Sequence, residues 1–511
     1  MIELKEGNVF ECEIDFQKSG NASVKIEDKD VFIFKNNTLN ALNGDVVKVE
    51  IFKKNNRFEG KILEVIRRFR TQFVGTVQMN KKTIFVLPDN NKIHVDFFIK
   101  GGLSAKDNQK VIVELLKWDG TKSPHAKIVE ILGLSGENNA EMNSIMVEYG
   151  LPNEFPKMVE VEAELISEVI TNEEIQKRRD LRHITTIGID PIDSKDADDT
   201  IGLEFINGER FISINIADVT HYIKPGSELD KEAYRRGTSV YLVDRCIPMI
   251  PHRLSNGICS LKSGSDKLCY SVILKIDNEG NILDEWFGRT IINVDKDYSY
   301  EDAQSVIENG VNDDSKKTDE VVLELDRIAK KIRKRRINNG SIEMGGVEVK
   351  FKLAEDNKKP IGVYFKYQKD ANKLIEEYML LANKSVAKFI KSKGLPCVNR
   401  VHEDPDDAKL IKVKKFVDTL GYSFDISDPE KTKTEINRLL KEVKDTPEDN
   451  IISTLIVRAQ KKAYYSTKSI GHYGLGFQDY SHFTSPIRRY SDKILHRILS
   501  LALGNDGYPI K

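Results

Sequence analysis

An acidic stretch near the middle of the chain, GIDPIDSKDADDT at 188–200, concentrates carboxylates closely enough to suggest chemistry. Carboxylates at this density repel one another unless positive charge lies among them. Hard oxygen ligands without a neighbouring His or Cys suit Mg²⁺ or Mn²⁺. Two such ions held by shared carboxylates would relieve the repulsion and form a site for phosphoryl transfer. A solvated acidic loop is the simpler alternative. The acidic residues are Asp190, Asp193, Asp196, Asp198 and Asp199.

A phosphate-directed site also needs cations, and the segment TSPIRRYSDKILHR near the C-terminus offers a pair. Ser485 is a suitable N-cap and Pro486 a suitable first helical residue, so the pattern predicts a helix that starts there. Arg488 and Arg489 would then lie in the first turn, where the helix dipole disfavours cations. An anion bound at that helix end would explain them, and pairing with local acids is the alternative.

Two further segments contain candidates for nucleic-acid contact. Tyr241, in a short apolar strand beside several arginines, is a candidate base-stacking platform, although a core position would also explain it. Glu376 and Glu377 interrupt an amphipathic helix in LIEEYMLLAN. One of them could face a ribose hydroxyl, or both could lie on a solvated helix face.

The composition of the whole chain limits its class. It has 511 residues, a net charge of −1 and 40% hydrophobic residues, which is typical of a globular chain of several domains. Its five cysteines form no CxxC pair, which favours a reducing compartment over a disulfide framework or a zinc site. No run of about 18 apolar residues occurs, so we expect no membrane span and a cytoplasmic protein.

Short strands separated by turns fill the first 133 residues, and a weak repeat relates residues 44–66 to 108–132. This pattern predicts two small β-barrels, at 1–68 and 69–133. A charged connecting segment follows at 134–179. Strands and then long amphipathic helices predict one large α+β domain at 180–505.

Six segments, in this order, resemble the ribonuclease II/R (RNB) family, and most closely its ribonuclease R branch. They are IGIDPIDSKDADDTI, INIADVTHYI, RRGTSVYL, IPMIPHRLSNGICSL, LIEEYMLLAN and HFTSPIRRYSD. The resemblance implies two N-terminal OB-fold, cold-shock-like barrels followed by an α+β RNB catalytic domain. It also implies a processive 3′→5′ exoribonuclease that releases 5′-mononucleotides from single-stranded RNA with a free 3′ end. Two Mg²⁺ ions, replaceable by Mn²⁺, would serve the reaction, and we expect a monomer.

The same resemblance assigns roles to individual residues. It makes four of the aspartates metal ligands, with Asp193 auxiliary, and it makes Arg488 the catalytic arginine with Arg489 as its basic neighbour. Tyr241 would clamp the 3′-terminal base, and Tyr300 would lie along the RNA path. Glu376 would contact the terminal nucleotide and help to distinguish RNA from DNA. The ligands implied are Asp190, Asp196, Asp198 and Asp199, of which Asp198 and Asp199 are also expected to be catalytic.

Two departures from the family pattern affect these expectations. Met344 occupies the place where relatives have a phenylalanine that sandwiches the terminal base, so the clamp would be looser. Family members continue into a further OB-type RNA-binding domain that is missing from this sequence, which implies a weaker grip on RNA and poorer digestion of structured RNA.

Two alternatives to an exoribonuclease remain at this point. One is a non-catalytic RNA-binding protein with a degenerate RNB domain. Such proteins typically lose the aspartates, whereas all four are present here together with Arg488. The other is a metal-stabilised structural protein, which would leave the two barrels and the clamp pattern unexplained.

Overall fold

A computed structural model describes residues 4–27, 29–54, 57–80, 83–118, 120, 122–343, 347–355, 359–429 and 431–504. The chain forms two compact units. The first comprises Met1–Glu154, Leu242–Asp244 and Phe351–Gly362, and the second comprises Phe155–Tyr241, Arg245–Lys350 and Val363–Lys511. Within the described residues, no helix has the length and apolar character needed to cross a membrane.

Two closed five-stranded barrels form the first unit, as the alternating strands predict. Their strand orders are β1-β2-β3-β5-β4 and β10-β8-β7-β6-β9, and each barrel encloses its own hydrophobic core. Helix α1 (Asn138–Glu148) follows the second barrel. Because both barrels belong to one unit, this division does not test the boundary predicted between residues 68 and 69. The strands are β1 (Val9–Phe16), β2 (Ala22–Ile26), β3 (Lys29–Ile33), β4 (Val46–Lys54), β5 (Arg57–Arg67), β6 (Gln72–Asn80), β7 (Thr83–Pro88), β8 (Phe97–Gly102), β9 (Gln109–Lys117) and β10 (His125–Leu134).

A seven-stranded mixed sheet is the centre of the second unit, with the order β11-β18-β17-β14-β13-β12-β19. Its strands are rich in β-branched residues and buried on both faces, as expected for a sheet covered by helices. A tight turn at Asn207 and Gly208 joins β13 to β14. An Asn-Gly pair favours such a turn, and both residues have the positive φ that it requires. The strands are β11 (Arg179–Asp180), β12 (Thr185–Asp190), β13 (Asp199–Ile206), β14 (Glu209–Ala217), β17 (Asp266–Ile276), β18 (Ile282–Asn293) and β19 (Lys296–Ser299).

Six further strands, of two to eight residues each, lie outside this sheet. They are β15 (Val240–Tyr241), β16 (Cys246–Ile247), β20 (Val347–Leu353), β21 (Pro360–Tyr367), β22 (Asn399–Val401) and β23 (Tyr464–Ser466), and they form three two-stranded sheets.

Helices cover both faces of the large sheet. One hydrophobic core joins the sheet to α7 and α8, and another joins its opposite face to α2 and α5. A third core lies among α9, α10 and α11. The helices are α2 (Lys157–Leu165), α3 (Asn172–Gln176), α4 (Val219–Tyr222), α5 (Glu228–Arg236), α6 (Tyr300–Asn309), α7 (Lys316–Asn338), α8 (Asp370–Ser392), α9 (Asp407–Thr419), α10 (Thr432–Val443), α11 (Asp449–Ala459) and α12 (Tyr490–Ala502).

Candidate active site

The acidic stretch lies where strand β12 of the large sheet ends and strand β13 begins. We call this side of the sheet, at the ends of its strands, the sheet edge. Asp190 is the last residue of β12 and Asp199 is the first residue of the adjacent antiparallel strand β13. The two carboxylates therefore occupy the same edge of the sheet, with Asp196 and Asp198 in the connection between the strands. Asp193 is exposed in that connection.

Asp198 is the most completely enclosed of these residues, with 3% of its surface exposed. The backbone N–H of Ile487 donates a hydrogen bond to its Oδ1 at 2.8 Å, and Arg488 Nε donates to its Oδ2 at 3.1 Å. The acidic stretch and the arginine segment are 290 residues apart in sequence, and the fold brings them into direct contact.

The prediction that a helix starts at Ser485 and Pro486 is wrong, because α12 begins at Tyr490. In a helix from Pro486, the Tyr490 N–H would donate to the carbonyl oxygen of Pro486, but it donates to the carbonyl oxygen of Gly237 at 2.9 Å. The Ile487 N–H, which would have no partner inside such a helix, donates to Asp198. Arg488 therefore lies in a turn before the helix. Asp492 holds this turn by accepting a hydrogen bond from the N–H of Ser485 at 2.8 Å.

Asp190, Asp198 and Asp199 each have a raised pKa. Burial raises the pKa of Asp198 to about 7, although Arg488 and the Ile487 amide oppose the shift. Burial, followed by repulsion from Asp190 and Asp198, raises the pKa of Asp199 to about 8. Burial also raises the pKa of Asp190. Such a group of carboxylates is short of positive charge.

A divalent hard cation fits this donor set. The ligating atoms available are all carboxylate oxygens. In the described part of the chain, Arg488 forms an ion pair with Asp198, and the Nζ of Lys262 lies 3.7 Å from Asp190. Among the described residues, no three His, Cys, Asp or Glu side chains already converge as a finished metal site would. The fit therefore rests on the oxygen-only chemistry and the uncompensated charge of these residues.

Tyr241 approaches the same carboxylates from another strand. Its hydroxyl donates a hydrogen bond to Asp196 Oδ2 at 2.6 Å, while 53% of the residue stays exposed. The segment before it is attached to the arginine turn, because the Thr238 hydroxyl and the Ser239 N–H both donate to the carbonyl oxygen of Arg488, at 2.8 and 3.0 Å. Tyr241 and Arg488 are thus positioned by one connected set of bonds.

Tyr300 also lies at this edge of the sheet. It follows β19, whose last residue, Ser299, is opposite Asp190. Burial, with Asp199 and Asp190 adding to it, raises the pKa of the Tyr300 hydroxyl.

Other predicted residues have different surroundings. Arg489 donates to the buried Asp492 at 2.7 Å, so it pairs with a local acid as the alternative interpretation held. Glu376 is partly exposed, and its nearest recorded cation is Arg336, 3.5 Å away. The fully buried Glu377 binds Arg336 at 2.5 Å, which makes it a structural partner. Met344 lies outside the described residues, so the prediction made for it stays a prediction.

Sequence reasoning missed a buried ionic cluster behind the arginine turn. Asp230 of α5 accepts hydrogen bonds from Lys493 Nζ at 2.7 Å and from Arg497 Nη2 at 2.9 Å, both on α12. Tyr490 donates to the same carboxylate at 3.0 Å. The sequence does place Tyr490, Lys493 and Arg497 on one face of a helix, which indicates a shared partner. That spacing does not identify Asp230 as the acid they bind.

Three family models match the chain. The model described as the RNB domain matches residues 178–505, the cold shock domain model matches 85–156, and the ribonuclease B OB domain model matches 12–65. The first match alone covers more than half of the chain.

Ribonuclease R proteins are similar to nearly the whole chain. Ribonuclease R of Thermotoga maritima is 37% identical over 97% of this chain and 71% of its own length. Ribonuclease R 1 of Lactococcus lactis subsp. lactis is 34% identical over 94% of this chain and 61% of its own length. The solved structure of Mycoplasma genitalium RNase R in complex with ribose methylated single-stranded RNA superposes with a TM-score of 0.90, at 25% identity, over 96% of this chain and 79% of that one. This chain therefore belongs to the RNB family of exoribonucleases, and it is similar to ribonuclease R proteins of that family over nearly its whole length.

Proposed function

We propose that this chain is a processive 3′→5′ exoribonuclease that hydrolyses single-stranded RNA to 5′-mononucleotides in RNA decay and quality control. The observation that carries the proposal is the contact of Arg488 with Asp198 at the sheet edge that also carries Asp190 and Asp199. A guanidinium group beside buried carboxylates is suited to a phosphodiester, since it binds phosphate oxygens in a fork geometry.

Mg²⁺ is the proposed cofactor, with Mn²⁺ able to replace it and two ions expected. Asp190, Asp196, Asp198 and Asp199 would hold them. When bound, such ions activate a water molecule and neutralise charge on the phosphate.

The protein groups have separate roles in this proposal. Arg488 is partly exposed and can turn from Asp198 towards the scissile phosphate, where it would stabilise the charge that develops on the oxygens. The exposed ring of Tyr241 would stack on the 3′-terminal base while its hydroxyl orients Asp196. Tyr300 would border the RNA path, and Glu376, held near Arg336, would accept a hydrogen bond from a ribose hydroxyl.

The proposal also includes a monomer acting in the cytoplasm on RNA with a free 3′ end. All five cysteines are free thiols, which agrees with a reducing compartment. Ribonuclease R of Mycoplasma genitalium was solved with single-stranded RNA, which supports RNA as the substrate class.

The test uses a single-stranded oligoribonucleotide labelled at its 5′ end, incubated with the protein and Mg²⁺ or with EDTA. We expect progressive conversion to a short labelled product with Mg²⁺ alone, and release of unlabelled 5′-mononucleotides. Arg488→Ala should slow this conversion by roughly 10²–10³-fold, because it removes a preorganised charge from the transition state.

Two other results would change the assignment. Cleavage inside the labelled strand, with products of many lengths at early times, would replace the exonuclease by an endonuclease. A retained gel shift without any cleavage in Mg²⁺ or Mn²⁺ would favour the non-catalytic RNA-binding protein.

A further inference from the structure

A second group of basic and aromatic side chains lies in the same unit, away from the carboxylates. Strands β22 and β23 form a short antiparallel ladder in which Arg400 is directly opposite Tyr465. The guanidinium carbon of Arg400 lies 4.9 Å from the centre of the Tyr465 ring, within cation–π distance. We call Arg400, Tyr465 and His482 the ladder cluster.

Tyr465 is held in place but remains open to solvent. Its hydroxyl shares a hydrogen bond of 2.7 Å with His482 Nδ1, and the two rings meet edge to face at 5.6 Å. Even so, 42% of the residue is exposed. An aromatic ring fixed at its polar end, with its surface exposed, loses little conformational entropy when a flat ligand stacks on it.

Arg400 has no recorded carboxylate partner in the part of the chain that the structure describes. Other arginines of this unit do: Arg489 is paired with Asp492 and Arg336 with Glu377. An arginine that lies on an aromatic ring without an acid retains its full capacity to bind an anion.

His482 adds a polar group without adding charge. Burial, with Arg489, Arg400, His472 and Arg488 adding to it, lowers the pKa of His482 to about 2, so the imidazole is neutral at physiological pH. The other ring nitrogen, Nε2, can therefore form a hydrogen bond with a ligand while the imidazole stays uncharged.

The ladder cluster is directly connected to the arginine turn. The N–H of Arg400 donates to the carbonyl oxygen of Tyr480 at 2.9 Å, and Asn399 forms a bridge with Ser481. The chain continues from these residues through His482 to Arg488. Arg488 also contributes to the lowered pKa of His482, so the ladder cluster and Arg488 lie close enough to interact electrostatically.

We propose that Arg400, Tyr465 and His482 form a subsite for single-stranded RNA, outside the carboxylate centre and on the 5′ side of the scissile phosphate. A base stacks on Tyr465, a backbone phosphate binds Arg400, and the imidazole hydrogen-bonds to a sugar or base. This inference rests on the proposed function. RNA is favoured over an acidic protein because an exposed ring next to an unpaired arginine combines stacking with phosphate binding, and an acidic peptide needs only the charge.

The test compares two neighbouring tyrosines of equal chemistry. Tyr464 is 43% exposed, and its hydroxyl bonds Glu403 at 2.9 Å; because successive strand residues point to opposite faces, it does not share the surface of Tyr465. We expect Tyr465→Ala to raise KM for a 5′-labelled oligouridylate by roughly 5- to 100-fold with kcat nearly unchanged. Tyr464→Ala should leave both constants at the parental values, and Tyr465→Phe should keep most of the affinity.

Arg400→Gln provides the second variant. It should weaken binding and reduce the slope of log affinity against log salt concentration by about 0.7, the value for one phosphate contact with a single strand. Binding is measured by fluorescence anisotropy in EDTA, so that cleavage does not interfere. Thermal unfolding of each variant confirms that it is folded.

The outcomes separate the two claims. If the parental protein cleaves RNA and Tyr465→Ala behaves like Tyr464→Ala, the subsite is wrong and the proposed function stands. If the parental protein neither binds nor cleaves RNA, the proposed function fails and the subsite fails with it. A salt slope unchanged by Arg400→Gln would also remove Arg400 from the subsite.

Discussion

Two sets of buried aspartates in the second unit differ in how their charge is balanced. Asp218, fully buried, accepts a hydrogen bond from Arg178 at 2.8 Å and lies 3.2 Å from Arg289. These arginines overcome the effect of burial and hold its pKa well below the ordinary range. Asp230 is similar: burial would raise its pKa, but Lys493 and Arg497 lower it to about 2.

Among the aspartates at the sheet edge, Asp198 is as buried as Asp218 and Asp230, whereas Asp190 and Asp199 are partly exposed; within the described residues, none of the three has two basic partners of this kind. Asp198 has one arginine and a backbone amide, and its pKa still rises to about 7. Burial, with repulsion from Asp190 and Asp198 added to it, raises the pKa of Asp199 to about 8. The charge of the first set is neutralised by basic side chains of the protein itself. The charge of the second set is neutralised by a proton or, in our proposal, by a bound metal ion.

The largest difference between the two sets should be catalytic. Asp198→Asn removes a proposed metal ligand and the partner of Arg488, so we expect the rate of RNA cleavage to fall by more than about 10³-fold. The free energy of unfolding should change little in EDTA, because Asn keeps the size of the side chain and removes an unfavourable buried charge. Single-turnover cleavage and urea unfolding measure the two effects. Near-parental cleavage would exclude a catalytic role for Asp198.

The compensated set should respond in the opposite way. Asp230→Asn leaves Lys493 and Arg497 buried without their counter-charge, so the free energy of unfolding should fall by about 3–5 kcal/mol. Urea unfolding of this variant, beside Asp198→Asn as its matched control, measures the contrast. If the two variants lost equal stability, the distinction between the sets would have no basis.

The dependence of stability on pH and Mg²⁺ is the next test. The pKa of Asp199 is raised in the folded protein, so its contribution is present below about pH 4, the ordinary carboxyl value, and is lost as the pH rises through about 8. We therefore expect Mg²⁺ to raise Tm more at about pH 8.5 than at about pH 6, by scanning calorimetry. Asp199→Asn should reduce this difference. An equal effect of Mg²⁺ at both pH values would contradict the assignment of Asp199 as a ligand.

The smallest effect should come from Tyr241→Phe. This change keeps the ring and removes the hydrogen bond to Asp196, so kcat/KM should fall by less than about tenfold. Tyr241→Ala, which also removes the stacking surface, should be the more damaging variant. If Phe and Ala were equally harmful, the hydroxyl rather than the ring would carry the role of Tyr241.

Much of the fold could be predicted because local patterns are strong. Alternating residues indicated both barrels, and the Asn207-Gly208 pair fixed the hairpin between β13 and β14. The helix start at Ser485 was predicted wrongly because local capping preferences cannot include Gly237, whose carbonyl oxygen takes the Tyr490 amide that a helix would direct to Pro486. Tertiary bonds decided that boundary.

The candidate site was predictable in its residue types but not in its connections. The density of aspartates in 188–200 and the arginine pair were visible in the sequence. The hydrogen bond from Tyr241 to Asp196 joins residues 45 positions apart, and no periodic pattern indicates it. The ladder cluster was missed for the same reason, since β22 and β23 are only three residues long.

Arg488 belongs to the scaffold through its carbonyl oxygen and to the site through its guanidinium group. Every amino acid has that carbonyl, so a missense change in this codon retains the attachment of residues 238 and 239 while it discards the charge. Loss of nuclease activity is therefore a short evolutionary step that does not require loss of the folded protein. A gene duplicate that is no longer selected for RNA degradation could in this way retain a stable RNA-binding scaffold. In such a duplicate, selection for stability would preserve Asp230 after Arg488 had been replaced.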